Sequence, residues 1–174
     1  GAFEDGDQLI AIHKDGSYEL SDLLVDKKYD HNSVLKVFRY RKGDIISALH
    51  FDAEKGRTMV KRFSIETSKL DTKYPFISEA DGAKLYFASV HPNPKIKYSY
   101  KTGGEKHEAT LDFVEFIDVK GWKALGNRLI DHKVLKVTKL HDDIKVNAKE
   151  EVSTKNEEKD NNAISTGDTI ELDL

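Results

Sequence analysis

The sequence predicts an all-β protein. Three observations predict it: short β-branched and aromatic runs alternate with polar residues, Gly, Asp and Asn turns separate those runs at close intervals, and apolar residues at helical spacing are scarce. Gln8 to His13 (QLIAIH) and Ser17 to Leu20 flank Lys14-Asp15-Gly16, where Asp-Gly supplies the positive φ of a tight hairpin turn. Ser33 to Tyr40 (SVLKVFRY), Asp44 to Phe51 (DIISALHF) and Arg57 to Glu66 (RTMVKRFSIE) read as three further strands, separated by Arg41-Lys42-Gly43 and by residues 52–56. Residues 67–82 carry a proline and several charges without alternation, which marks a connection. Ala83 to Val90 and Lys95 to Lys101 flank His91-Pro92-Asn93-Pro94, a turn in which each proline holds its predecessor extended. Ala109 to Val119, Arg128 to Ile130 and Lys133 to Leu140 complete the strands, with Trp122 placed to anchor the loop between two of them.

This reading divides the chain into a first β unit at 1–66, a connection at 67–82, a second β unit at 83–146 and a polar tail at 147–174. Val34-Leu35-Lys36-Val37 recurs as Val134-Leu135-Lys136-Val137, an echo that either true repetition or strand composition produces. The tail is rich in Glu, Lys, Asn, Ser and Thr and has too little apolar surface to fold alone; its last residues, Thr169 to Leu174 (TIELDL), alternate as an edge strand would.

A chain of 174 residues can bury one sizeable core or build two small units that share one. The single methionine, Met59, leaves no start residue at position 1, so the expectation is a piece of a larger protein with Gly1 left from a cleaved tag. Without cysteine there is no disulfide framework and no thiolate zinc site, which favours an intracellular compartment. No apolar run approaches the roughly 18 residues of a membrane span. Up to Val146 there are 25 Lys and Arg against 23 Asp and Glu, about +2; from Asn147 there are 3 against 8, about −5, and together these give the net −3. A nucleic-acid binder with a pI near 6.2 must gather its basic residues on one face.

Catalytic patterns are scarce. Gly103-Gly104-Glu105-Lys106 lacks the glycine spacing and the hydroxyl of a P-loop, and His107-Glu108 lacks a second histidine four residues on. Adjacent carboxylates such as Asp142-Asp143 and Glu150-Glu151 read as solvated surface, no GxSxG elbow occurs, and no paired carboxylate motif supports a glycosidase. The expected site therefore holds no catalytic residue, no metal and no cofactor.

Basic residues cluster instead. Val119 to Arg128 (VKGWKALGNR) sets Lys120, Lys123 and Arg128 around two glycines, Gly121 and Gly126, that let the main chain turn closely. Arg39, Arg41 and Lys42 sit at a strand end and its turn, Lys61 and Arg62 lie within a strand, and Lys95, Lys97 and Lys101 alternate onto one sheet face. All of these except Lys101 are the expected phosphate contacts; the bland alternative for any single lysine is protection of a sheet edge.

The DGSY turn (Asp15 to Tyr18), the ISALHFDAEKGRTMVKRFSIET segment, the VEFIDVKGWKALGNRL segment and the acidic tail occur in an order and spacing that resemble the C-terminal domain of the A subunit of bacterial type IIA topoisomerases, closest to topoisomerase IV of the Bacteroidetes type. The resemblance implies a β-pinwheel, with blades of about four antiparallel strands that exchange strands with their neighbours and a basic rim around which duplex DNA bends. About two blades fit this length. It implies a non-catalytic role in ATP-dependent strand passage, relaxation and decatenation, in a cytoplasmic, nucleoid-associated heterotetramer of A and B subunits. The catalytic tyrosine of the family lies in another part of the A subunit; Arg39-Tyr40 does not resemble its context. Mg²⁺ and ATP belong to the B subunit. The glutamine-, arginine- and glycine-rich box of gyrase has no equivalent here, which favours topoisomerase IV. Two further expectations follow from the residues: the acidic tail competes with DNA for the basic rim, and, as an alternative function, Phe38, Tyr40, Tyr98 and Tyr100 form a protein-docking surface of a propeller-like module.

Overall fold

A computed structural model of the chain describes residue 4 and residues 6–23 and 27–140, all within the unit Gly1–His141. The acidic tail, its expected competition with DNA and its terminal edge strand lie outside the described residues. The strands are β1 (Gln8–His13), β2 (Ser17–Asp22), β3 (Val34–Arg39), β4 (Ile45–Asp52), β5 (Arg57–Ser64), β6 (Lys73–Pro75), β7 (Lys84–Ser89), β8 (Lys95–Thr102), β9 (Glu105–Asp112), β10 (Asn127–Ile130) and β11 (Val134–Lys139). A single helical turn, α1 (Phe113–Phe116), follows β9. The all-β, blade-like architecture expected from the sequence is present.

Among the described residues the strands form three antiparallel sheets, where the length suggests about two blades: β3-β1-β2-β6, β7-β4-β5-β10 and β11-β8-β9. Each sheet is built on a hairpin (β1-β2, β4-β5, β8-β9), with a later strand paired to the first hairpin strand. The outer strand beside the second hairpin strand is lent from further along the chain. β6 returns to β2 after β4 and β5 have entered the second sheet, and β10 returns to β5 after β8 and β9 have entered the third. Sheet two thus takes strands from both sides of the 67–82 connection, which itself contributes β6.

A shared irregularity relates the three sheets. In each, the register between the first hairpin strand and its later partner skips one residue: Leu35 between the pairs His13–Val34 and Ile12–Lys36, Tyr86 between His50–Leu85 and Leu49–Phe87, and Leu135 between Tyr100–Val134 and Ser99–Lys136. These bulges recur roughly 50 residues apart. The two VLKV strings therefore occupy equivalent strands, where repetition of one structural unit would place them.

Sheet two is buried on both faces. One core sets Ile10, Ile12, Tyr18 and Leu20 of sheet one against Ile46, Ala48, Phe63 and Leu85 of sheet two; the other sets Leu49 and Val60 against Ile96, Tyr98, Leu111 and Val134 of sheet three. β4 and β5 accordingly lack the alternation of a half-solvated strand, because neither face meets water.

Two sequence expectations are corrected. The strand expected over 109–119 ends at Asp112, whose carboxylate accepts from the Val114 and Glu115 amides at 3.1 and 3.2 Å and so starts α1. The first half of β9, entered through Gly103-Gly104 at positive φ, lies outside the strands expected from the sequence, which begin again only at Ala109. Its polar residues suit a strand that no fourth strand covers among the described residues.

Candidate nucleic-acid interface

The VKGWKALGNR segment is the link between α1 and the lent strand β10, and it lies along the free edge of β5. Its hold on β5 is dense. The Lys120 amide donates to the Arg62 carbonyl at 2.8 Å, Lys120 forms a parallel bridge with Phe63, and Asn127 and Arg128 pair with Val60 and Met59. Gly126 is needed here: its φ is +91°, and a Cβ would overlap the Val60 carbonyl oxygen. Gly121 faces open space, so the close approach expected of both glycines belongs to Gly126 alone. Trp122 packs edge-on against Tyr18 and Tyr74, with centroids 6.5 and 5.6 Å away, and thereby seats the loop on the aromatic cluster between sheets one and two.

This fixed main chain leaves Lys120, Lys123 and Arg128 exposed. Lys120 Nζ lies 3.4 Å from Asn127 Oδ1, Lys123 Nζ sits 5.3 Å from the Trp122 ring centroid, and Arg128 donates to Asp131 at 3.2 Å in a pair open to solvent. Lys120 beside Phe63 and Arg128 beside Met59 are four strand steps apart on β5, about 13 Å at the usual rise. The loop and the start of β10 thus present three exposed cations beside β5.

The equivalent link into the lent strand β6 is different. There the Asp71 amide donates to the Leu20 carbonyl at 2.8 Å, as the Lys120 amide does to Arg62, so an acidic residue stands where the other link has a lysine. Asp71 and Glu19 both bind Lys27. One strand-exchange link is acidic and internally paired; the other is basic.

The remaining expected contacts divide. Arg41 and Lys42 are exposed in the turn between β3 and β4. This turn lies at the same end of sheet two as Lys120, since Ile65 just past β5 donates its amide to the Asp44 carbonyl. Arg39 is half-buried and bonds Asp7 at 2.9 Å. Lys95 and Lys97 do share the outer face of sheet three, but Asp112 and Glu108 lie 3.3 and 3.2 Å from their ammonium groups, so that face is mixed in charge rather than basic.

Lys61 and Arg62 require a correction. Both are buried, 3% and 9% exposed, because β5 is the inner strand of a sheet covered on both sides. Lys61 Nζ donates to the carbonyls of Phe76 and Trp122 at 2.5 and 2.6 Å, and burial pulls its ammonium down to a pKa of about 8. Arg62 donates to Ser47 Oγ and to the Ile117 carbonyl, both at 3.3 Å. These cations face the interior and cannot meet a phosphate. A Lys-Arg pair inside a strand gives no sign of this in sequence; the flanking Met59, Val60 and Phe63, buried with it, are the only signal.

The four aromatics considered as a protein-docking face are buried or half-buried. Tyr98 is buried, and Phe38, Tyr40 and Tyr100 pack against the two cores. Among the described residues no group of three or more His, Cys, Asp or Glu is placed to hold a metal ion.

A family model described as the topoisomerase C-terminal domain of Bacteroidota matches residues 1–141. No curated protein gives a match.

Proposed function

Because the chain belongs to the topoisomerase C-terminal domain family of the Bacteroidota, we propose that it is a non-catalytic duplex-DNA-binding domain that holds a segment by its phosphates during strand passage. The observation that carries this is the set of three exposed cations, Lys120 and Lys123 on the loop and Arg128 at the start of β10, held against β5. Arg41 and Lys42, at the same end of sheet two, extend it. Phosphate contacts of this kind position a duplex without reading bases, so selectivity rests on bends and crossings rather than sequence. With few contacts and a net charge of −3 for the whole chain, affinity is modest, and its dependence on salt is in proportion to the small number of phosphates contacted.

In this reading the parent is a topoisomerase IV-like A subunit that works in the cytoplasm with a B subunit, which supplies Mg²⁺ and ATP chemistry, while the cleaving tyrosine belongs to a different part of the A subunit. The packed state of Phe38, Tyr40, Tyr98 and Tyr100 favours DNA over protein docking as the role of this surface.

Fluorescence anisotropy of a labelled duplex of about 40 base pairs, titrated at several salt concentrations, tests the proposal. The logarithm of affinity should fall linearly with log salt, and the slope should drop by about 0.9 for each phosphate contact removed by neutralising Lys120, Lys123 or Arg128. Absence of binding at low salt would reject the proposal.

A further inference from the structure

Lys61 is a buried ammonium that reaches two separate segments at once. Its Nζ donates to Phe76, one residue beyond the lent strand β6, and to Trp122, at the centre of the basic loop. Phe76 belongs to the core between sheets one and two; Trp122 packs on Tyr18 and on Tyr74, which is itself in β6. The carbonyls of both segments point at one cation that has no contact with solvent to speak of, being 3% exposed. Hydrogen bonds to a charged donor in such surroundings are the strong ones, and both carbonyls lose their partner together if the ammonium is removed.

We infer that Lys61 is the positioning residue of the middle of the basic loop: it couples the seating of β6 on sheet one to the presentation of Lys123 beside Trp122. The inference rests on the proposed DNA-binding role for its consequence, though not for its geometry. Three independent contacts set the two ends of the loop, namely Arg62 to the Ile117 carbonyl, the Lys120 amide to Arg62, and Gly126 against Val60. Between Lys120 and Gly126, the segment carrying Trp122 and Lys123 is tied to β5 by the Lys61 ammonium. Where a ligand group sits on a loop, affinity depends on such support from the layer beneath.

Trp122 is the one tryptophan of the chain, so its fluorescence reports this seat directly. Lys61→Met should leave the far-UV circular dichroism of the sheets in place, shift Trp122 emission to the red, raise its quenching by acrylamide, and weaken duplex binding roughly three- to tenfold. Neutralising Lys120 should weaken binding without moving the emission. Because the chain has no cysteine, Lys61→Cys can be aminoethylated specifically in the unfolded state, and refolding it should restore the blue emission and the affinity. An unchanged emission and quenching in Lys61→Met would overturn the inference. If that variant does not fold, NMR of the unaltered chain decides: slowly exchanging Lys61 ammonium protons with Overhauser contacts to Phe76 and Trp122 support it, and rapid exchange without them rejects it. Should the unaltered chain fail to bind DNA, the proposed function falls while the fluorescence and NMR results still judge Lys61.

Discussion

His50 is 4% exposed, pairs with Met59 and Leu85 inside sheet two, and makes no hydrogen bond of acceptable geometry through either ring nitrogen. Burial pulls its pKa down to about 4; the Lys61 charge adds to this, while Asp52 and the Leu125 backbone oppose it. A folded-state value below the unfolded value of about 6.5 means the unfolded chain binds the extra proton first. Stability is therefore full above pH 6.5 and declines as pH falls toward 4, by about 3 kcal/mol for this one group. Thermal melts between pH 7 and pH 4 should show this loss, and His50→Leu should flatten it. The same reasoning, with the same sign, applies to Lys61 above neutrality. Its folded value near 8 lies below that of a free lysine, so burying its charge costs stability at pH 7, and the cost is relieved as pH rises through 8 toward 10. Part of that cost is offset by the two carbonyls it binds.

The lent strands are short, and side chains rather than ladder length hold them. β6 contributes Lys73 to Pro75 only, but Tyr74 stacks on Tyr18 with centroids 5.5 Å apart and meets Trp122 edge-on. Tyr18 in turn contacts Phe63 and Phe76. Tyr74→Ala should cost about 3 kcal/mol, in the range for removing a packed aromatic ring, with a red-shifted Trp122 emission as the local sign; denaturant titration measures both. The DGSY turn serves the same region. Asp15 accepts from the Ser17 amide at 3.0 Å, Gly16 takes φ +81°, and the Gly16 carbonyl receives the Phe76 amide at 2.9 Å. A Cβ at Gly16 would overlap Ile77. Two motifs that carry the family resemblance, DGSY and KRFSIET, thus build the seat of β6 and of the basic loop, while the third, VKGWKALGNR, is the loop.

Strand lending makes the three sheets one folding unit rather than a string of blades. Sheet one loses its outer strand if sheet two does not form, and sheet two loses β10 if sheet three does not. Sheet two is also the partner of both cores. Unfolding in denaturant should therefore be a single transition, with circular dichroism of the strands and fluorescence of Trp122 giving coincident curves. Separate midpoints would show that the sheets melt independently. At the same scale, function is unevenly distributed: of two equivalent links into lent strands, the one beside Lys27 is acidic and the one beside β5 is basic. A repeated scaffold with one basic link places the three cations at a single position along it.

By itself the sequence determined the strand class, most strand positions, the turns at Asp15-Gly16 and Gly43, and the basic character of the 119–128 segment. These are local properties, legible because side-chain period and turn chemistry act within a few residues. It could not determine which strands share a sheet. β6 and the first half of β9 were missed, since a three-residue lent strand and a polar edge strand carry no pattern of their own. Nor could it tell Lys61 and Arg62 from Lys120 and Lys123. All four are cations next to apolar residues, and only the covering of β5 on both faces turns the first two inward. Whether a charge meets solvent or a carbonyl depends on what the chain brings back from sixty residues away, and that was decided by the tertiary structure.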